Sequence, residues 1–259
     1  MNKTLGNVLV VFLLAASQLA QASDLAREKR WADQVVDSII DGDAIPLNDG
    51  SNEFLGIYTE VQADSQRAAI IMHGTGVHPN WQQVVYPLRV GLPEHGWSTL
   101  SIQMPILDAK AEHKAYAPMY ATEVPARINA AIAYLRDKGV KHIVLIGHSQ
   151  GSIMAAYYLR KQSDRVAAFV AIGMTCDFGE DPMNASLSLK AISLPVLDMY
   201  GSNDLESVLK SRPACVAAAK SAGNKQYTEK MLAGANHFFD AKDKELLDIV
   251  AGWLDKLQK

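Results

Sequence analysis

Apolar and polar positions change rhythm three times along the chain. From Asp24 to Ile40, Trp31, Val35, Val36, Ile39 and Ile40 recur at helical spacing, with Ser23 or Asp24 available as a cap. This predicts an amphipathic helix lying on the domain. Residues 44–47 and 53–60 are strand-like runs around Asn48-Asp49-Gly50-Ser51, which predict an antiparallel hairpin at a sheet edge. From Ala68 onward, apolar runs of strand length alternate with helical patterns. Strands are expected at 68–72, 98–102, 143–147, 167–172, 196–200 and 226–231. Helices are expected at about 81–90, 123–138, from 153, 205–221 and 242–257. Such alternation predicts a mostly parallel α/β sheet with helices on both faces. In such sheets ligand chemistry sits in the loops after the strands' carboxyl ends.

The first residues follow none of these rhythms. Lys3, the apolar run Val8–Ala16 and the small residues Ala20-Gln21-Ala22 have the layout of a cleaved export signal. The run falls short of the ~20 residues needed to span a bilayer. Residues 1–22 are therefore expected to be removed, leaving no stable membrane insertion and a single domain at 23–259 in a bacterial periplasm or outside the cell. Residues 23–42 carry the N-terminal helix packed on that domain.

The 259 residues, 49% of them hydrophobic, suffice for one large core. A net charge of −3 offers no basic field for nucleic acid or anionic lipid. The two cysteines, Cys176 and Cys215, fall just beyond neighbouring predicted strands. In an oxidising compartment they are a disulfide candidate, the alternative being two separate buried thiols. Neither has another Cys or His at ligand spacing, so no metal site is expected.

One junction carries chemistry. Ile143-Val144-Leu145-Ile146 runs into Gly147-His148-Ser149-Gln150-Gly151, and a helical pattern follows at once. Gly-x-Ser-x-Gly between strand and helix makes a sharp turn that lifts a serine hydroxyl above the sheet edge. Serine is a weak nucleophile without a base. His237, in the loop between the last strand and the last helix, is expected to supply one. His148 is locked in the turn and reads as a packing residue; His95 and His113 read as surface residues. Asp204, just after the strand at 196–200, is the preferred partner for the histidine's other nitrogen, with Asp177 the main competitor. An oxyanion hole needs two backbone N–H groups. Gln150 follows the nucleophile and supplies one. The other comes from His73-Gly74-Thr75-Gly76, from Thr75 or its neighbour Gly74. That loop lacks the lysine and spacing of a phosphate-binding loop.

The order of oxyanion loop, Ser149, Asp204 and His237, each past a strand end, resembles the α/β-hydrolase superfamily over residues 44–257. The N-terminal helix, Phe54–Glu60 and His73–Gly76 also look like a family of exported bacterial α/β hydrolases of unknown function. The resemblance implies hydrolysis of an acyl bond, most often an ester, in a small molecule, through an acyl-enzyme and without a cofactor. A serine peptidase, an acyltransferase or a non-catalytic binding protein are the alternatives on the same fold. About 23 residues separate the strands at 167–172 and 196–200, leaving room for a small cap or none. The methionines and tyrosines of Gln103–Thr122 are expected either to wall an apolar acyl pocket or to cover the core.

Overall fold

Side-chain alternation within the strands decides the layering. In β3 (Arg67–Met72), Ala68, Ile70 and Met72 join one apolar cluster, while Ala69 and Ile71 join another. Strand β5 (His142–His148) divides in the same way, Ile143 and Leu145 against Val144 and Ile146. Successive residues of a strand point to opposite faces, so a strand apolar throughout must be covered on both. The computed structural model describes residues 23–62, 65–177 and 179–257. The predicted export signal lies outside the described residues.

Eight strands form one sheet. They comprise β1 (Asp43–Asn48), β2 (Glu53–Thr59), β3, β4 (Ser98–Ile102), β5, β6 (Ala168–Ile172), β7 (Val196–Asn203) and β8 (Tyr227–Asn236), in the spatial order β1-β2-β4-β3-β5-β6-β7-β8. The first two pair with each other, and β2 with β4, in antiparallel fashion; all later pairs are parallel. The hairpin turn is tied by Asp49 Oδ1, which accepts the N–H groups of Ser51 and Asn52 at 2.9 and 2.7 Å.

Helix α1 (Leu25–Val36) crosses the hairpin and packs Val35 on Leu55 and Ile57. It stops short of the expected Ile40, which is almost fully exposed. Helices α2 (Val85–Gly91) and α7 (Asp243–Lys256) cover one face of the sheet. The other face carries α3 (Glu123–Asp137), α4 (Gln150–Gln162), α5 (Ala185–Leu189), α6 (Glu206–Ser221) and a 3₁₀ segment at His113–Tyr120. Helix α2 starts four residues later than its apolar pattern suggests. Residues 81–84 turn instead, ending on Val84 at φ 61°. Among the described residues, no helix is long and apolar enough to cross a membrane.

Cys176, just after β6, is bonded to Cys215. Cys215 lies within α6 rather than beyond a strand, so the bridge ties the β6–β7 connection to the helix packed beside it. Beside the bridge, buried Asp198 accepts hydrogen bonds from Arg212 and from the Tyr227 hydroxyl. Burial raises the Asp198 carboxyl pKa although Arg212 opposes the rise. Asp198 is thus a structural carboxyl, held by Arg212 and Tyr227 inside the core.

Candidate active site

The turn after β5 is dictated by crowding. A Cβ on Gly147 would lie 2.5 Å from Ser152 Cα, and one on Gly151 2.5 Å from the His73 carbonyl oxygen. Both neighbours are backbone, so only glycine fits at either flank of Ser149. Ser149 itself sits at φ 52° and ψ −119°, a conformation that costs a non-glycine residue about 1–3 kcal/mol. Fixed partners hold it there. Its N–H donates to the Ile172 carbonyl at 2.8 Å, and its own carbonyl accepts from the Ser152 N–H and hydroxyl at 3.0 and 2.5 Å.

Three side chains meet above the strand ends. His237 Nε2 lies 3.0 Å from Ser149 Oγ, and His237 Nδ1 lies 2.6 Å from Asp204 Oδ1. Asp204 is held in turn by the N–H groups of Leu205 at 2.8 Å and Gly201 at 3.1 Å. Burial alone would raise its carboxyl pKa. The hydrogen bond and charge of His237, with the two N–H groups, outweigh burial and leave the pKa lowered. A carboxylate at Asp204 fixes the proton of His237 on Nδ1 and leaves Nε2 free to accept from the serine. Asp177, the competing acid, is exposed.

Two glycines make room for this line. Gly173, at φ 60°, presents no side chain where a Cβ would stand 3.0 Å from Cε1 and Nδ1 of His237. Gly201 lets β7 approach the Ala235 carbonyl, which a Cβ would meet at 2.2 Å. Strand β8 continues past the expected residue 231 to Asn236, pairing Asn203 with Asn236 beyond a bulge. His237 therefore leaves the ladder within reach of Asp204.

The oxyanion candidates lie on either side of Ser149. Gln150 opens α4, where the first backbone N–H groups lack intrahelical acceptors and the helix dipole favours negative charge. Gly74 is buried directly against Ser149, a Cβ there falling 3.2 Å from Ser149 Cβ; Thr75 beside it is exposed. His73 braces the loop. Its Nε2 accepts from the Met104 N–H at 2.9 Å, which places the proton on Nδ1, and that donates to the Gly74 carbonyl at 2.8 Å. Burial lowers the His73 pKa to about 3, so the ring is neutral in this role.

Two histidines differ from their sequence reading. His148 does more than pack: its Nε2 donates to the His237 backbone carbonyl at 3.0 Å, and burial, then the nearby His237, lowers its pKa to about 4. His113 is half-buried rather than on the surface, and a hydrogen bond with the Gln150 side chain partly offsets the lowering of its pKa by burial. Both contacts join residues far apart in sequence, and no local pattern signals them. In residues 103–122, expected either to wall an acyl pocket or to cover the core, Met104, Tyr116, Met119 and Tyr120 are buried in the core cluster. Of these, Tyr120 reaches the elbow, its hydroxyl accepting from Gln150 Nε2.

Sheet order, crossing helices and elbow define an α/β-hydrolase fold. Est1E from Butyrivibrio proteoclasticus has the same fold at 17% identity, over 83% of this chain and 98% of its own, with a TM-score of 0.64. The esterase Pf2001 of Pyrococcus furiosus is similar at 15% identity, over 83% and 91%, with a TM-score of 0.68. XC6422 from Xanthomonas campestris, described as an α/β serine hydrolase without a lid, is similar at 13%, over 84% and 95%, with a TM-score of 0.63. No curated protein matches the sequence. Residues 8–123 and 108–256 match the DUF3530 family, described as a protein of unknown function, and the chain belongs to that family.

Proposed function

We propose that the chain is a serine hydrolase cleaving a carboxylic ester through an acyl-enzyme. The observation that carries this reading is the unbroken hydrogen-bonded line from Asp204 through His237 to Ser149 Oγ. His237 Nε2 takes the hydroxyl proton as Oγ attacks the substrate carbonyl, and the imidazolium so formed is stabilised by Asp204. The developing oxyanion is received by the Gln150 N–H and an N–H of the Gly74–Thr75 loop. His237 then returns the proton to the leaving alcohol, and a water activated by the same nitrogen releases the acid. Every proton is handled by the chain's own residues.

Among the described residues connecting β6 to β7 the one helix is the five-residue α5, and Ser149 remains partly exposed. An open site supports hydrolysis over transfer, since water reaches the acyl-enzyme, and it favours a small acyl substrate over a polypeptide. The Cys176–Cys215 bridge supports export, because such bonds persist in oxidising compartments. Pre-steady-state kinetics test the reading. A p-nitrophenyl ester panel is expected to release a burst of about one p-nitrophenol per chain. The panel includes a feruloyl ester, because ferulic acid has been seen bound to Est1E. Turnover without a burst, retained by Ser149→Ala, would sink the mechanism.

A further inference from the structure

Ser23 is fastened inside the protein. The Ser23 backbone nitrogen lies 3.0 Å from Glu123 Oε1, and the Ser23 hydroxyl donates to Glu123 Oε2 at 2.6 Å. The Ser23 nitrogen and hydroxyl therefore both fall on one carboxylate, the hydroxyl also accepts from Arg127 Nη2 at 3.2 Å, and the residue is 7% exposed. Its neighbour is equally fixed, with the Asp24 N–H on the Ile106 carbonyl at 2.7 Å and its side chain capping α1.

The surrounding charges do not balance. Arg127, wholly buried, stands 2.8 Å from Glu28, 3.3 Å from Glu123 and 3.6 Å from Asp49, all three carboxylates being largely buried. Burial raises the Glu28 carboxyl pKa even with that guanidinium facing it. Among the described residues one cation faces three acids, and buried charge without a partner is costly. An amide at Ser23 contributes no charge. An amino terminus would.

We propose that cleavage between Ala22 and Ser23 completes this cluster, the new α-ammonium of Ser23 forming a buried ion pair with Glu123. The Ala20-Gln21-Ala22 sequence places small residues at the positions an export peptidase requires. Hydrolysis consumes one water. Its hydroxyl goes to the Ala22 carbonyl and its hydrogen to the Ser23 nitrogen, which takes a further proton from solvent at neutral pH. No rearrangement is needed, because the nitrogen already lies at hydrogen-bond distance from its partner.

The docked end also braces the site. Arg27, one turn into α1, donates to the Leu107 carbonyl at 2.6 Å and to the Gly76 carbonyl at 3.1 Å, at the end of the oxyanion loop. Arg127 donates to the Gln103 carbonyl at 3.1 Å, and the Gln103 side chain meets His73 at 2.9 Å. Processing would thus anchor the helix and arginine that support residues 73–76.

The proposal rests on the export reading, and its test separates the two. Intact mass of the exported protein should show a chain beginning at Ser23; a retained leader would overturn export, and a different start would overturn the docking. Thermal unfolding then compares that protein with one carrying a glycine inserted between Ala22 and Ser23, each with and without Glu123→Gln. The insertion turns the Ser23 nitrogen back into an amide. It should lower Tm by at least about 3 °C with Glu123 present and by under about 1 °C in Glu123→Gln. Equal shifts in both backgrounds, or no shift in either, would overturn the ion pair.

Discussion

Replacing Gly173 by alanine should impair the site without substituting Ser149, His237 or Asp204. Gly173 stands at φ 60°, where alanine costs about 1–2 kcal/mol, and its new Cβ would lie 3.0 Å from two ring atoms of His237. Ordinary contacts begin near 3.5 Å, so the ring must retreat by about 0.5 Å. His237 is held on both sides, at 2.6 Å by Asp204 and 3.0 Å from Ser149. A shift of that size stretches at least one of these bonds beyond useful length. Misplacement on the ångström scale costs about 10²-fold in rate, so kcat should fall by about 30- to 100-fold with a smaller change in KM. The control is Gly223→Ala, at φ 67° with no atom within 4 Å of the added Cβ. Both variants should lose about 2–8 °C in Tm from backbone strain, but only Gly173→Ala should lose kcat. The assay is p-nitrophenyl ester turnover, with circular dichroism confirming the fold. A folded Gly173→Ala protein with kcat within threefold of the parent would refute the claim that His237 has no room to move.

Three further outcomes follow from the same geometry. Asp204→Asn should lower kcat by roughly 10⁴, the scale seen for the triad aspartate of a serine protease; Asp177→Asn, at an exposed position, should leave it within threefold, and the reverse ranking would reassign the acid. The bridge between Cys176 and Cys215 closes a separation of 39 residues, which constrains the unfolded chain by about 4 kcal/mol. The double serine variant should therefore melt about 8–16 °C lower, and a loss under about 2 °C would contradict this. Burial lowers the pKa values of His73 and His148 to about 3 and about 4, below the 6.5 of an unfolded chain. The unfolded chain then takes up protons first, so stability is full above pH 6.5 and declines as pH falls toward 4; a Tm unchanged between pH 6.5 and 4.5 would contradict it.

What the sequence revealed and what it hid divide along one physical line. Ser149 was legible because its constraints are local: an apolar strand, two glycines and a helix, all within about a dozen residues. Asp204 and His237 were legible because a parallel sheet collects its strand ends, so position in the alternation stood in for distance. Strand β8 read short because it is an edge strand with several exposed side chains, and its pairing with β7, rather than apolar alternation, extends it to Asn236. Helix α2 read long because apolar spacing at 81–84 does not disclose the positive φ of Val84. The roles of His148 and His113, and the cluster of Ser23, Glu28, Asp49, Glu123 and Arg127, join elements tens of residues apart. No periodicity marks them. Arg127 shows the difficulty most plainly: an arginine on an amphipathic helix reads as solvent-facing, yet it is wholly buried against three acids.

The nucleophile itself can be trapped. Purified protein is treated with a fluorophosphonate, digested, and the modified peptide sequenced by tandem mass spectrometry. One adduct per chain is expected, on Ser149, lost in Ser149→Ala and greatly slowed in His237→Ala. An adduct on any other residue, or none on a folded protein that still turns over esters, would contradict Ser149 as the nucleophile.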